Sequence, residues 1–182
     1  MLEAHNGGEY DATNIFPNPV VTGVTKIGKD HIKQLGPTIE NIAWHKSGIF
    51  KVQRPAFSTV QDDDVTAVLR HRASEKDVTL EFVDLDHSLP NEALPLRPDV
   101  QKLNASLALS LTRAWLKERG TAHSQDMTAE DIRSGVEHFS WPGRFQQINQ
   151  EGNQWFLDGA HNDMSIEHAA QWFAEMVAPK ET

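Results

Sequence analysis

An apolar run that ends in a cluster of polar side chains is the most informative stretch of this sequence. Residues 155–162 read WFLDGAHN. Asp158, His161 and Asn162 therefore follow three apolar residues, at a point that a glycine marks. In α/β folds the ends of strands carry the binding and catalytic groups. A carboxylate and an imidazole there could hold a ribose, a metal-bound phosphate or a reacting proton, and this stretch alone leaves all three open.

Three residues in the first third of the chain add further candidates for metal or phosphate chemistry. They are Glu3, His31 and Lys46, which we predict at strand edges or in loops. Carboxylates suit Mg²⁺, whereas imidazole suits softer ions. The sequence contains no His-Glu-x-x-His or comparable metal spacing. An isolated glutamate or histidine is ordinarily a surface residue or a satisfied core residue.

Short apolar runs alternate along the chain with segments of helical spacing. Strands are predicted over 19–25, 55–60 and 79–83, and on both sides of a turn at 151–153. Helices are predicted over 39–48, after an N-cap at Asp62, and over 100–120, 128–136 and 165–177. This alternation favours an α/β fold. We place a domain joint near residues 141–143, where Trp-Pro-Gly breaks the pattern.

Composition excludes several classes of protein. The 182 residues suffice for one well-buried core, and the net charge of -9 disfavours nucleic-acid binding. No apolar run is long enough to span a bilayer, and neither a secretory signal nor a cysteine occurs. We therefore expect a soluble protein without membrane or nucleic-acid partners. The cationic segment 26–54 could attract a small polyanion or could be a solvated face.

Five sequence blocks resemble those of a known family. In chain order they are EAHNGGEYDATN at 3–14, DHIKQLG at 30–36, IAWHKSGIF at 42–50, PGRFQ at 142–146 and DGAHN at 158–162. Together they are similar to the Mur ligase family, and within it to the folylpolyglutamate synthases. The resemblance covers nearly the whole chain.

The resemblance implies both a fold and an activity. Residues 1–141 would be part of the central, P-loop-type Mur ligase domain, and residues 142–182 the start of a Rossmann-like C-terminal domain. The implied reaction is ATP-dependent ligation of L-glutamate to the γ-carboxyl of a folate through an acyl phosphate. Mg²⁺ would be the cofactor and ATP the co-substrate. The full-length protein would be a monomer in the cytoplasm, or in the mitochondrion of a eukaryote.

The family motifs also imply catalytic and metal-binding roles. Glu3 and His31 would be Mg²⁺ ligands, and His31 and Lys46 would be the catalytic pair. Lys46 matches the lysine that is carbamylated in this family. Because carbamylation consumes a neutral amine, we expect Lys46 to be partly desolvated, which would lower its pKa.

Further positions match the family's ligand contacts. The pterin would be contacted by Tyr10, Asp11 and Ala12. The nucleotide would be contacted by Asn104 at the start of a helix, and by Arg144, Asp158 and His161. In these roles an arginine supplies a fixed cation for phosphates, and an aspartate accepts from nucleotide hydroxyls or amines.

The chain also departs from the family pattern. It contains no Gly-x-x-x-x-Gly-Lys-Ser/Thr phosphate loop, which in the family lies upstream of Glu3. His45 stands where an acidic residue usually precedes the lysine. We therefore expect an internal fragment that is inactive by itself. The alternatives are dihydrofolate synthase, another Mur-type amide ligase, or a non-catalytic remnant that only binds.

Overall fold

The chain divides into two compact units in a computed structural model that describes residues 1–90, 93–120 and 127–178. The first unit comprises Met1–Asp86 and Leu103–Thr128. The second comprises the described residues of His87–Lys102 and Ala129–Thr182. The domain boundary that we place after residue 141 stays a prediction.

A parallel three-stranded sheet forms the centre of the first unit. Its strands are β1 (Thr22–Val24), β2 (Ala56–Thr59) and β3 (Leu80–Val83), in the order β1-β2-β3. All three lie within the predicted strands. Parallel strands joined by helical crossovers confirm the predicted α/β class.

Four helices accompany this sheet: α1 (Ile32–Leu35), α2 (Ile39–Lys46), α3 (Asp63–Glu75) and α4 (Asp99–Arg119), whose first residues belong to the second unit. α2 begins with a capping box in which Thr38 and Asn41 satisfy each other's backbone N–H groups. α3 follows Asp62 as predicted. The Asp62 carboxylate makes no capping bond, however, because it accepts from Lys26 Nζ at 2.7 Å. No helix in the described part of the chain is long and apolar enough to cross a membrane.

The core of the first unit lies between the sheet and helices α2 and α3. Its fully buried side chains include Phe50, Ile42, Leu69 and Val65. These come from α2, α3 and the segment that follows α2, so that burial ties the C-terminal end of α2 to the sheet. Burying side chains of this size contributes about 1.5–3 kcal/mol each.

Gln61 fixes the path of the chain after β1. This buried side chain donates from Nε2 to the Thr25 carbonyl at 2.9 Å, and its Oε1 accepts from the Ile27 N–H at 3.0 Å. The segment that leads to Asp30 and His31 is therefore hydrogen-bonded to the residue just beyond β2.

The second unit contains a hairpin and two helices. The hairpin is formed by antiparallel β4 (Gln146–Gln150) and β5 (Asn153–Leu157), and the helices are α5 (Ala129–Glu137) and α6 (Asp163–Val177). Glu151 and Gly152 have φ values of 52° and 79°, as a two-residue hairpin turn of type I′ requires. The polar cluster 158–162 thus follows a strand, as predicted, and that strand pairs in the hairpin expected around the turn at 151–153.

The segment 7–11 lies against the C-terminal end of α2 at backbone distance. A Cβ on Gly8 would come within 2.7 Å of the His45 carbonyl oxygen and 2.8 Å of that of Lys46. A Cβ on Gly48 would overlap the backbone of Glu9. Only glycine allows the two stretches of chain to approach so closely.

We predict that Gly48→Ala destabilises the first unit by about 3 kcal/mol, because the methyl group meets backbone that cannot rotate away. Gly135→Ala is the matched control. Gly135 lies inside α5, no described atom is within 4 Å of its Cβ position, and alanine there should stabilise the helix by up to about 1 kcal/mol. Urea denaturation followed by circular dichroism would measure both variants. Equal unfolding free energies would contradict the close-packing argument.

Candidate functional site

Lys46 is the last residue of α2, in agreement with the helix predicted over 39–48 and not with a loop or strand-edge position. Its side chain is half-buried. Burial lowers the pKa of Lys46, and the nearby Asp30 carboxylate opposes that shift by favouring the ammonium. The amine is therefore neutral at lower pH than a solvated lysine, as carbamylation requires.

Asp30 links the two predicted catalytic residues. Its Oδ1 accepts from the His31 backbone N–H at 2.7 Å, and its Oδ2 lies 3.7 Å from His31 Nε2. His31 has a left-handed φ of 50° and directly precedes α1. Asp30 is thus hydrogen-bonded to His31, and its charge is near enough to Lys46 to oppose the lowering of the Lys46 pKa. Sequence reasoning did not include Asp30 in the site, although its place immediately before His31 was a usable signal.

Glu3 lies in the exposed N-terminal segment, before the first strand. Among residues 1–90, 93–120 and 127–178, no group of three or more His, Asp or Glu side chains is placed to hold a metal. Mg²⁺ commonly takes one or two carboxylates and completes its shell with water and phosphate oxygens. Glu3 and His31 would therefore fit Mg²⁺ only as part of its coordination shell, and their metal role stays a prediction.

Tyr10 presents an aromatic ring at the surface beside the end of α2. The side chain is exposed, and its ring stands edge-on to His45, with the centroids 5.7 Å apart. The Trp44 ring lies at 6.3 Å. An exposed ring that packs against two other rings is suited to stacking on a planar heterocycle.

Asp11 organises the loop in which it lies. Its Oδ1 accepts from the N–H and the hydroxyl of Thr13, and its Oδ2 accepts from the N–H groups of His5 and Asn6. These bonds hold the pKa of Asp11 well below its usual range, and the bond from the Thr13 hydroxyl contributes most. Ala12 begins the short 3₁₀ turn that follows. Contacts of Asp11 and Ala12 with a pterin stay predictions.

Asn104 does not start a helix. α4 begins at Asp99, so that Asn104 lies in its second turn, with a half-buried side chain. The apolar spacing predicted this helix over 100–120, whereas the family resemblance placed Asn104 at a helix start. The predicted nucleotide contact of Asn104 therefore has to be made from the side of the helix.

The predicted nucleotide residues of the second unit come together at the base of the β4–β5 hairpin. Asp158 Oδ2 accepts from the Phe145 N–H at 2.8 Å. The Arg144 guanidinium lies directly against Gly159, where any Cβ would overlap it. His161 Nδ1 is 2.8 Å from the Gly159 carbonyl oxygen. A cation, a carboxylate and an imidazole thus lie together at the base of the hairpin.

Some cations of the segment 26–54 have partners in the structure. Lys26 pairs with Asp62 at 2.7 Å, and Arg54 lies 3.5 Å from Glu118. Lys51 donates to the Asn14 carbonyl at 3.2 Å. The two ion pairs reduce the positive charge of the segment at Lys26 and Arg54.

We predict that Lys46 reacts with amine reagents at lower pH than Lys33, an exposed lysine of α1. The lowered pKa makes the Lys46 amine neutral, and so nucleophilic, at lower pH. Competitive acetylation from pH 6 to 11, read by peptide mass spectrometry, would give the half-reaction pH of each lysine. Asp30→Asn should move the Lys46 curve further down, because it removes the carboxylate that favours the ammonium. A Lys46 curve at or above that of Lys33 would contradict this assignment.

Solved structures share the fold of this chain. A complex described as FPGS–AMPPCP superposes with a TM-score of 0.80 at 25% identity, covering 100% of this chain and 48% of that one. The apo form of L. casei FPGS gives a TM-score of 0.81 at 24% identity over 98% of this chain and 47% of its own. E. coli FolC in complex with DHPP and ADP gives 0.70 at 30% identity, covering 98% of this chain and 43% of that one.

Sequence comparison gives relatives that are also folylpolyglutamate synthases. A folylpolyglutamate synthase of Neurospora crassa is 40% identical over 184 aligned positions, which cover 99% of this chain and 34% of that protein. The mitochondrial folylpolyglutamate synthase of Bos taurus is 36% identical, covering 96% of this chain and 34% of its own length. No family model matches the sequence. The chain is thus related over almost its whole length to the folylpolyglutamate synthases, and it spans about a third of their length.

Proposed function

We propose that this chain supplies folate- and nucleotide-contacting parts of an ATP-dependent ligase that joins L-glutamate to the γ-carboxyl of a folate. One observation carries the proposal: a half-buried lysine with a lowered pKa, Lys46, lies beside Asp30 in a chain that is 40% identical to a folylpolyglutamate synthase. A lysine that only contacts carbonyls at a helix end would be solvated, and it would need neither burial nor a nearby carboxylate.

The proposed reaction proceeds in two transfers. A γ-carboxylate oxygen of the folate attacks the terminal phosphorus of ATP, and ADP leaves. The glutamate amine then attacks the acyl carbon, and inorganic phosphate leaves as the amide forms. Negative charge accumulates on phosphoryl oxygens, so that fixed cations aimed at those oxygens lower the barrier. Mg²⁺, when bound with ATP, would neutralise part of that charge.

Each group of residues has a role in this scheme. Neutral Lys46 Nζ would attack carbon dioxide and lose a proton, which converts an amine into a carboxylate near Asp30 and His31. Arg144 would hold phosphate oxygens, while Asp158 would accept from nucleotide hydroxyls or amines. The exposed ring of Tyr10 would stack on the pterin. As the family motifs imply, the nucleotide would also contact Asn104 and His161, and Mg²⁺ would be bound by Glu3.

The partners follow from the same relationship. ATP and a folate are supported by a related structure described as an FPGS–AMPPCP–folate complex. L-glutamate, Mg²⁺ and a monomeric full-length protein are further parts of the proposal. One relative is mitochondrial, which supports a mitochondrial location as well as the cytoplasmic one.

Dihydrofolate synthase is the second candidate function, favoured by the similarity to E. coli FolC in complex with DHPP and ADP. It would use the same phosphate chemistry on a pteroate carboxylate that carries no glutamate. A non-catalytic remnant that only binds is the third candidate. Titration calorimetry with ATP·Mg²⁺ and with a folate would test this candidate. A remnant that binds should show heat with at least one ligand, whereas a pure scaffold should bind neither.

A chimera tests the proposal directly. This chain would replace the corresponding third of the Saccharomyces cerevisiae folylpolyglutamate synthase, which is 40% identical to it. We expect glutamate addition to tetrahydrofolate, and a loss of about a hundredfold or more in kcat/KM for Lys46→Met, because a group close to the reacting phosphate is removed. Lys33→Met is the control and should keep full activity. Activity confined to dihydropteroate would instead establish dihydrofolate synthase.

The chain by itself should release no phosphate from ATP in a folate- and glutamate-dependent manner. It contains no Gly-x-x-x-x-Gly-Lys-Ser/Thr loop to hold the β- and γ-phosphates. A coupled phosphate assay on the purified chain, with the intact yeast enzyme as positive control, would measure this. Sustained turnover would show that the loop is dispensable.

A further inference from the structure

Arg72 is a buried cation that none of the family motifs includes. It lies on α3, and only 9% of its side chain is exposed. Its Nε is buried and has no hydrogen-bond partner among the residues that the structure describes. A buried guanidinium destabilises the fold unless ion pairs and hydrogen bonds offset its lost hydration.

The guanidinium joins three parts of the first unit. One terminal nitrogen lies 2.5 Å from Glu9 Oε2, and the other lies 2.8 Å from Glu75 Oε2. The plane of the group also covers the Trp44 ring, with Cζ 4.5 Å from the ring centroid. Arg72 therefore contacts α3, the segment before the 3₁₀ turn, and α2 at the same time.

Glu9 is the carboxylate through which this contact reaches the loop. Its backbone N–H donates to the His45 carbonyl at 2.8 Å, which docks the loop on the end of α2. Lys76 Nζ lies 3.4 Å from Glu9 Oε2 and donates to the Gly48 carbonyl at 3.0 Å. The side chain of Glu9 is thus held by two cations, while its backbone is held by α2.

Two routes lead from Arg72 to Tyr10. The first passes through Glu9, the residue immediately before Tyr10. The second passes through the Trp44 ring, which Arg72 covers and which contacts the Tyr10 ring. We propose that Arg72 is a positioning residue that holds residues 9–12 against the end of α2, so that Tyr10 and Lys46 keep a fixed relation. The consequence for folate recognition rests on the proposed function.

Arginine suits this position for a geometric reason. A planar guanidinium can donate in its plane to two carboxylates while its face lies on an aromatic ring. An ammonium is a point charge that cannot do both. Arg72→Lys should therefore keep the charge but fail to restore the position of Tyr10.

The first experiment measures amide hydrogen exchange in the intact chain. In Arg72→Met we expect the Glu9 N–H to exchange about tenfold faster, because the ion pair that holds the loop is lost. The Ala56 N–H, bonded to the Thr79 carbonyl at 3.0 Å in the sheet, reports global opening and should change much less. An equal increase at Ala56 would mean general destabilisation and would overturn the positioning role.

The second experiment uses Tyr10 as a unique probe, since the chain contains one tyrosine. With 3-fluorotyrosine incorporated, Arg72→Met should shift or broaden the single ¹⁹F resonance, and Arg72→Lys should not restore it. Arg70→Met is the matched control. Arg70 lies two residues away on α3, is exposed, and covers a different ring, Phe82. An unchanged resonance in Arg72→Met would overturn the proposal.

Glu9→Gln provides a second variant if Arg72→Met fails to fold, because it removes the same ion pair and leaves the helix α3 intact. It should change the ¹⁹F resonance in the same direction, and no change would count against the proposal. Tetrahydrofolate is then titrated into the wild-type chain and both variants. Weaker folate binding in the variants would support the role in recognition. No binding by the wild-type chain would contradict the proposed function, while the ligand-free ¹⁹F result would still decide the positioning of Tyr10.

Discussion

The close approach of Glu9 and Gly48 backbones determines where the functional side chains of the first unit lie. A Cβ on Gly8 would collide with the carbonyls at the end of α2, and a Cβ on Gly48 would collide with the Glu9 backbone. The Glu9 N–H also donates to the His45 carbonyl. The segment that carries Tyr10 is therefore docked on the helix end that carries Lys46. Because the contact is between backbones, side-chain rearrangement cannot relieve it, and the geometry is rigid.

Two cations near this contact, the buried Arg72 and the half-buried Lys46, differ in whether they stay charged. Arg72 has two carboxylate partners, and a guanidinium stays charged under any ordinary condition. Lys46 is buried with the Asp30 carboxylate nearby, and burial outweighs that carboxylate, so that its pKa is lowered. The first cation is suited to holding structure. The second is suited to reacting as a neutral amine.

The second unit positions its polar groups by different means. Phe145 has a left-handed φ of 45°, and its N–H is bonded to Asp158. Its ring stands edge-on to the buried Trp172 of α6, with the centroids 5.6 Å apart. Aromatic packing therefore holds a strained backbone turn, and that turn places Arg144 against Gly159. Here the local chain, not a remote segment, brings the candidate residues together.

Much of this organisation could be predicted from the sequence alone. Apolar periodicity located the three parallel strands, α3, α6 and the hairpin, because it reports which face of an element is buried. The family resemblance assigned Arg144 and Asp158 to one ligand, and the hairpin places both at its base. Such features depend on neighbours within about twenty residues.

Only the tertiary structure decided the rest. The partial burial of Lys46 was expected from the family resemblance, but its proximity to Asp30 and the docking of the Tyr10 segment on the same helix end come from contacts between segments remote in the chain. Arg72 had no signal at all, because its partners Glu9 and Trp44 lie far from it in the chain. Local patterns specify which residues face inward, whereas packing between remote segments specifies which of them meet.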